Sequence, residues 1–445
     1  MRPNLAFGSV LFALILLISS CNIADQKSVI DHKEAKIKLF DVNRQLLEVA
    51  MEDGFSPPIA SRVYVYPHLS YYLALQKFYP DSLNDISKGL NDFKALSDLG
   101  NVKTMIPEAV AQLLFIKVAR SLVFSEHYME TSEVEFLEYL KNENFSGKLI
   151  MSSLDQATKY HSEMMAWVSA DNYKETRTMQ RYTSRQLENN WIETPPDYQS
   201  GLEPHWEKIR PIALDTMMAV ENLLPPFSIR KGSDFYNIAM DVYNTSNKLD
   251  TNMVSTAWFW DDNPNTSDHA GHSVAMFHKI SPPGHWLNIT SIVTRGDEVS
   301  LFKTVTAFSH ASIAMFDGVI QAWQVKYKYD VIRPVTYIQR YIDREWNPLI
   351  QTPPFPEYIS GHSVISASAA EVLTELFGDK YKYKDDNGIY FGYPNRDYNS
   401  FLEAAWEVSL SRYYGGIHYI KSVEDGYELG KLIGASTLSK LQPTK

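Results

Sequence analysis

Residues 353–378 read PPFPEYISGHSVISASAAEVLTELFG, and the fold turns on this stretch. Pro353, Pro354 and Pro356 block helix on the upstream side. Val364, Ile365, Ala369, Val372, Leu373 and Leu376 then recur at helical spacing, and Gly378 closes the run. Ser360, Gly361 and His362 are therefore predicted at a helix N-terminus, where unpaired backbone N–H groups and the macrodipole favour an anion. Gly361 lets the backbone approach such a ligand closely. Taken alone, the segment also fits a serine N-cap beside a surface histidine.

Two flanking segments strengthen the anion reading. In Trp323-Gln-Val-Lys326-Tyr-Lys-Tyr-Asp-Val-Ile-Arg333-Pro334, two helical turns separate Lys326 from Arg333. The spacing predicts both cations on one helical face, with Pro334 stopping the helix. In Ser411-Arg412-Tyr-Tyr-Gly415-Gly416-Ile417-His418, a helix carrying Ala405, Val408 and Arg412 should end at the paired glycines and turn His418 back beside Arg412. Together the segments collect Lys326, Arg333, Arg412, His362, His418, the Ser360 hydroxyl and the Gly361 amide. A tetrahedral oxyanion needs such partners: fixed cationic donors and one neutral imidazole nitrogen for its centre.

The rest of the chain reads as all-α. Pro107-Glu108-Ala109-Val110 opens a strong helix, and Ile37–Met51 and Glu133–Leu140 share its period, while alternating strand patterns are scarce. Trp191, Pro195-Pro196, Pro204, Pro211 and Pro225-Pro226 interrupt the pattern. Residues 191–231 are thus expected to connect an N-terminal helical half, 33–190, to a C-terminal catalytic half, 232–445. Ser422 with Asp425 reads as an N-cap of the last helix, which carries Gly426, Gly430 and Gly434 as a smooth packing face. Asp268-His269-Ala-Gly-His272 could share a zinc ion between its histidines, but it reads as a polar loop.

The ends and composition place the protein. Arg2 and the apolar run Leu5–Ile18 form a signal segment, residues 1–20, ending in Ile18-Ser19-Ser20-Cys21. This resembles a lipoprotein cleavage site, with Cys21 lipidated and residues 21–32 as a tether. Export is expected, with anchoring at the periplasm or outer surface through Cys21 as the only membrane contact. Cys21 is the single cysteine of 445 residues, which excludes an internal disulfide, a CxxC pair and CxxCH haem attachment. A net charge of −11 argues against nucleic acid, so an anionic substrate must be drawn by a local cationic cluster. Nothing in the sequence sets an oligomeric state.

In this order, K-x6-R-P, S-G-H and S-R-x5-H resemble the signature shared by vanadium-dependent haloperoxidases and type 2 phosphatidic acid phosphatases. Trp323, three residues before Lys326, and PPFPEYISGHS, close to PPFPxYPSGH with Ile359 for the proline, lean toward the haloperoxidases. Phe259-Trp260-Asp261-Asp262, Pro282-Pro283-Gly284-His285-Trp286 and Glu203-Pro204-His205-Trp206 resemble segments of bacterial members. The likeness covers about residues 190–430 and is similar to exported enzymes of marine bacteria that include iodoperoxidases.

The resemblance implies a helical fold of two packed four-helix bundles and a vanadate cofactor (vanadium +5), without haem. By the same resemblance, His418 is the axial vanadium ligand, and Lys326, Arg333, Ser360, Gly361 and Arg412 meet the vanadate oxygens. Lys326 would polarise peroxide, His362 would be the general acid–base, and Trp323 and Phe355 would line the halide side. Hydrogen peroxide and a halide, iodide before bromide, are the implied substrates. One departure stands out: where the phosphatases carry an aspartate four residues after the last histidine, this chain has Ser422, with Glu424 and Asp425 nearby. Asp261 or Asp262 are the candidates for orienting His418. The rival readings are a phosphatase with His418 as nucleophile and His362 as leaving-group acid, and a non-catalytic surface-binding lipoprotein.

Overall fold

A computed structural model describes residues 27–442 except Asn265 and Gly271. The signal segment, Cys21 and most of the tether lie outside the described residues. The helices are α1 (His32–Glu52), α2 (Pro57–Phe78), α3 (Pro107–Arg120), α4 (Glu126–Asn142), α5 (Gly147–Val168), α6 (Tyr173–Thr176), α7 (Asp234–Ser246), α8 (Thr251–Phe259) and α9 (Pro282–Thr294). They continue with α10 (Leu301–Tyr329), α11 (Pro334–Tyr341), α12 (Gly361–Phe377), α13 (Phe401–Tyr414) and α14 (Ile420–Leu441). The chain is mostly helical, as its periodicity predicts. Among the described residues no helix is long and apolar enough to cross a membrane.

Local chemistry explains the helix starts. Asp31 caps α1 by accepting from the Lys33 amide at 2.9 Å, and proline stands at the first turn of α2, α3, α9 and α11. Ile30, just before that cap, is buried. Gly378 ends α12 with a φ of 98°, which its lack of a side chain permits.

The 29-residue α10 is buried along most of its length. It packs against α2 on one side and α12 on the other, so one wall serves the helices of both halves. It also pins the proline-rich connection. Asp317, fully buried on α10, accepts from the amides of Ile212, Ala213 and Leu214 at 2.7, 2.8 and 2.9 Å, and Gln321 accepts from Met218 at 2.6 Å. These side chains supply partners that an irregular backbone cannot find in itself.

Three sequence expectations need correction. Residues 266–277 form a two-stranded antiparallel hairpin, β1 (Thr266–Ala270) with β2 (Ser273–Phe277), and not a polar loop. His269 Nε2 there meets Asp197 at 2.6 Å, and among the described residues no group of three or more His, Cys, Asp or Glu is placed to hold a metal. A second hairpin pairs β3 (Tyr383–Asp385) with β4 (Arg396–Tyr398). Next, α14 starts at Ile420 with Tyr419 at its cap, so Ser422 lies inside the first turn and caps nothing. Finally, α10 ends at Tyr329, because Asp330 takes a left-handed φ of 53° and its carbonyl is claimed by the Trp191 amide at 2.9 Å. Pro334 therefore begins a helix, with Arg333 at the cap.

The glycine face of α14 packs on α12 as expected. A Cβ on Gly430 would lie 2.5 Å from the Val364 carbonyl oxygen and 2.7 Å from the Ala367 Cβ. In Gly430→Ala, overpacking of about 1–3 kcal/mol is expected to exceed the helix-propensity gain of about 1 kcal/mol. The thermal midpoint should therefore fall.

Burial lowers the pKa of His310, on α10, to about 4, so the native state keeps it neutral while the unfolded chain protonates near 6.5. Its contribution is therefore nil above pH 6.5 and destabilises by about 1.4 kcal/mol per pH unit as pH falls from there toward 4. His68, His362 and His418 are lowered by burial in the same sense. Melting curves from pH 7.5 to 5 should therefore steepen by more than one group's share, and His310→Leu should reduce the slope by about 1.4 kcal/mol per pH unit.

Candidate active site

The prolines at 353, 354 and 356 keep residues 355–357 out of helix, which leaves their carbonyls free to meet side chains. Lys326 Nζ donates to the Pro356 and Glu357 carbonyls at 3.0 and 3.1 Å. Arg333 Nε donates to the Phe355 carbonyl at 2.9 Å, and its Nη1 donates to the Ile417 carbonyl at 2.9 Å. Arg412, on α13, donates through Nη1 to the Trp260 carbonyl at 2.7 Å and the Asp261 carbonyl at 3.3 Å. Lys326 and Arg333 converge although they do not share a helix; the Asp330 turn brings Arg333 back.

All three cations are fully buried. Their donors are not exhausted: Arg333 Nη2 and Arg412 Nε and Nη2 lack hydrogen-bond partners. Burial lowers the pKa of each, most strongly for Lys326, and Arg333 adds to the effect on Lys326. Buried, partly unpaired cations of this kind are costly unless an anion joins them.

His418 lies among these cations. Its Nε2 is 3.3 Å from Arg333 Nη1, and its Nδ1 is 2.7 Å from Glu357 Oε1. Burial first, then Arg333, Lys326 and Arg412, hold the imidazole well below its usual pKa, so it is neutral. The Glu357 contact then assigns the proton to Nδ1 and leaves the Nε2 lone pair for a ligand. The same Glu357 oxygen accepts from the Tyr419 amide at 3.1 Å. Burial raises the Glu357 pKa to about 7, and Arg333 and Lys326 draw it back down.

Glu357 is therefore the acid that orients His418, in place of Asp261 or Asp262. Asp261 pairs instead with Lys279 at 2.7 Å and stands 3.6 Å from Arg412, and Asp262 pairs with His285. Glu357 sits inside the 353–378 stretch, but its orientation comes from tertiary folding. The Ser422 hydroxyl faces the same carboxylate.

The remaining predicted residues close the site. Ser360 caps α12, and its hydroxyl accepts from Ser363 Oγ at 2.8 Å. Gly361 lies against Trp323 and Lys326, where a Cβ would stand 3.5 and 3.7 Å from their carbons. Phe355 packs on Trp323 with ring centroids 5.1 Å apart, and Lys326 Nζ lies 4.9 Å from the Phe355 centroid. A small cavity of about 20 Å³, lined by Pro57, Gln199, Asp262, Pro353, Phe355 and His362, adjoins the site at His362. His362 Nε2 has no partner, and burial with Arg412 keeps this ring neutral too.

Two neutral imidazoles, three buried cations and a helix N-terminus thus stand together on a helical-bundle scaffold. Residues 306–444 match the family described as the VCPO second helical-bundle domain. The solved structure described as the first bacterial vanadium-dependent iodoperoxidase has 36% sequence identity and a TM-score of 0.85, over 91% of this chain and 96% of that one. The chain belongs to the vanadium-dependent haloperoxidase family. Holo-type and apo-type structures of a bacterial vanadium-dependent chloroperoxidase share the fold. Their TM-scores are 0.60 and 0.62, their identities 13% and 12%, and the matches cover 88% and 87% of this chain and 95% and 94% of theirs. No curated protein sequence matches the chain.

Removing Glu357 should free the His418 ring. Glu357→Ala is expected to weaken orthovanadate binding by the metal-free protein about 10–100-fold, measured by equilibrium dialysis. Glu357→Gln, which keeps a carbonyl acceptor for Nδ1–H, should lose much less.

Proposed function

We propose that the protein oxidises halide, iodide before bromide, with hydrogen peroxide, using vanadate held in the cavity described above. The observation that carries this reading is the set of unpaired donors on Arg333 and Arg412 around a neutral His418, whose Nε2 meets Arg333 Nη1 at 3.3 Å. Such a donor set fits a metal oxyanion: Lys326, Arg333, Arg412, Ser360 and the Gly361 amide would hold its oxygens, and His418 would ligate its centre. When bound, vanadate supplies Lewis-acid activation of peroxide.

The side chains have distinct tasks. His362, neutral and lining the small cavity, would accept a proton from hydrogen peroxide on its unpartnered Nε2. Lys326, fixed by two carbonyls, keeps a donor for the peroxide oxygen that meets halide. Phe355 and Trp323 present an apolar wall that excludes water from the halide side. Iodide is the most easily oxidised of the common halides, which supports it as substrate, as does the iodoperoxidase relative.

A phosphatase would use the same pocket with His418 as nucleophile, but none of the family or structural matches favours it. We further propose that the protein is exported and anchored through Cys21, on the strength of Ile18-Ser19-Ser20-Cys21. Metal-free protein given peroxide and iodide is expected to gain triiodide formation on addition of orthovanadate, to do so more slowly with bromide, and to lose it in His418→Ala. His362→Ala should lower kcat about 100- to 10,000-fold. Orthovanadate that inhibits a phosphomonoesterase activity and elicits no iodide oxidation would reverse the assignment.

A further inference from the structure

One buried ionic group touches the cavity at His362 only through Asp262. His285, in the first turn of α9, is buried between two carboxylates: Nδ1 is 2.9 Å from Asp262 Oδ2, and Nε2 is 3.0 Å from Asp385 Oδ2. A neutral imidazole has a single N–H and cannot donate to both, so the geometry calls for imidazolium. The two carboxylates overcome the burial penalty and raise its pKa to about 10. Asp385 is itself fixed by the amide and side chain of Asn387 at 2.9 and 2.6 Å.

The other end of this arrangement is the turn that carries the active site. The His285 ring stacks on Trp260 with centroids 4.3 Å apart. Asp262 has a φ of 33°, a conformation that non-glycine residues avoid unless their surroundings hold them there. The Trp260 and Asp261 carbonyls of the same turn accept from Arg412 Nη1, and the Asp261 carbonyl is turned to the His362 ring. Relaxation of this turn would displace both residues.

We propose that His285 is a positioning residue: its imidazolium, clamped between Asp262 and Asp385, fixes the Trp260–Asp262 turn and thereby sets Arg412 and His362 for the oxyanion. The identity of that oxyanion rests on the function proposed above; the clamp itself does not. Phe259-Trp260-Asp261-Asp262 and Pro282-Pro283-Gly284-His285-Trp286, far apart in sequence, are joined by this contact.

Packing alone would also explain a buried ring, so the test separates charge from shape. His285→Gln can donate to one carboxylate and must turn its carbonyl on the other. Its orthovanadate Kd, by equilibrium dialysis on metal-free protein, should rise about 10–100-fold. Amide exchange across residues 259–263, measured without vanadate, should accelerate. Adding Asp385→Asn supplies a donor for that carbonyl and restores the charge balance, so both measures should return most of the way to wild type. If His285→Gln does not fold, Asp385→Asn alone keeps the ring and removes one charged partner, and it should show the same two changes to a smaller degree. Unchanged exchange and affinity in the single variants, or a double variant no better than His285→Gln, would overturn the proposal. Wild-type protein that binds no orthovanadate would overturn the haloperoxidase reading instead, while the exchange comparison still decides for or against the clamp.

Discussion

The site depends on three buried cations held by carbonyl oxygens. Lys326, Arg333 and Arg412 rest on the carbonyls of Phe355, Pro356, Glu357, Ile417, Trp260 and Asp261. A carbonyl dipole orients a guanidinium or ammonium without cancelling its charge, as a contacting carboxylate would. The cations are therefore rigid. Although Asp261 stands 3.6 Å from Arg412 and Glu357 acts on Lys326 and Arg333, donors on Arg333 and Arg412 remain without hydrogen-bond partners for an oxyanion to meet. The cause is local: proline at 353, 354 and 356 removes N–H groups and prevents helix, so the carbonyls of 355–357 have no backbone donors to satisfy and turn to side chains.

Rigidity at this depth needs support from outside the catalytic segments. The proline-rich connection gives it. The Leu202 amide donates to the Pro354 carbonyl at 2.9 Å, and the Leu202 carbonyl accepts from Trp323 Nε1 at 3.2 Å and Tyr327 Oη at 2.6 Å. One residue of the connection thus ties the proline segment to α10. Asp317 and Gln321 hold the next stretch to the same helix. The connection is irregular because of its prolines, and it is ordered because α10 offers polar side chains where its own backbone bonds are missing.

Most of this was legible in residues 323–418 because helix capping and glycine turns are local. Ser360-Gly361-His362 falls at a helix N-terminus for reasons the flanking prolines and apolar stripe already contain. The spacing of Lys326 and Arg333 predicts one shared helix face, and they do meet, but through a left-handed Asp330 and a second helix. That turn depends on Tyr182, which lies before the connection, and on Trp191 at its start, both of which reach Asp330 from far away in sequence. Glu357 was in plain sight beside His362, yet nothing within the segment says which way its carboxylate faces. His285 was visible only as part of a resemblance, since its partners come from residues 262 and 385.

The departure at residue 422 now has a physical reading. The phosphatases that share these motifs place an aspartate four residues after the last histidine, on the same strand of chain, to hold the imidazole. Here the acid comes across the cavity from Glu357, and position 422, inside the first turn of α14, faces that carboxylate with a hydroxyl. An aspartate at 422 would set a second carboxylate against Glu357 in a buried site, where two like charges force one to remain protonated. One acid beside the imidazole is sufficient, and two would be antagonistic. Taking it from the 355–357 segment lets a single stretch of chain hold Lys326 and Arg333 by its carbonyls and His418 by its side chain, so cations and ligand share one rigid frame.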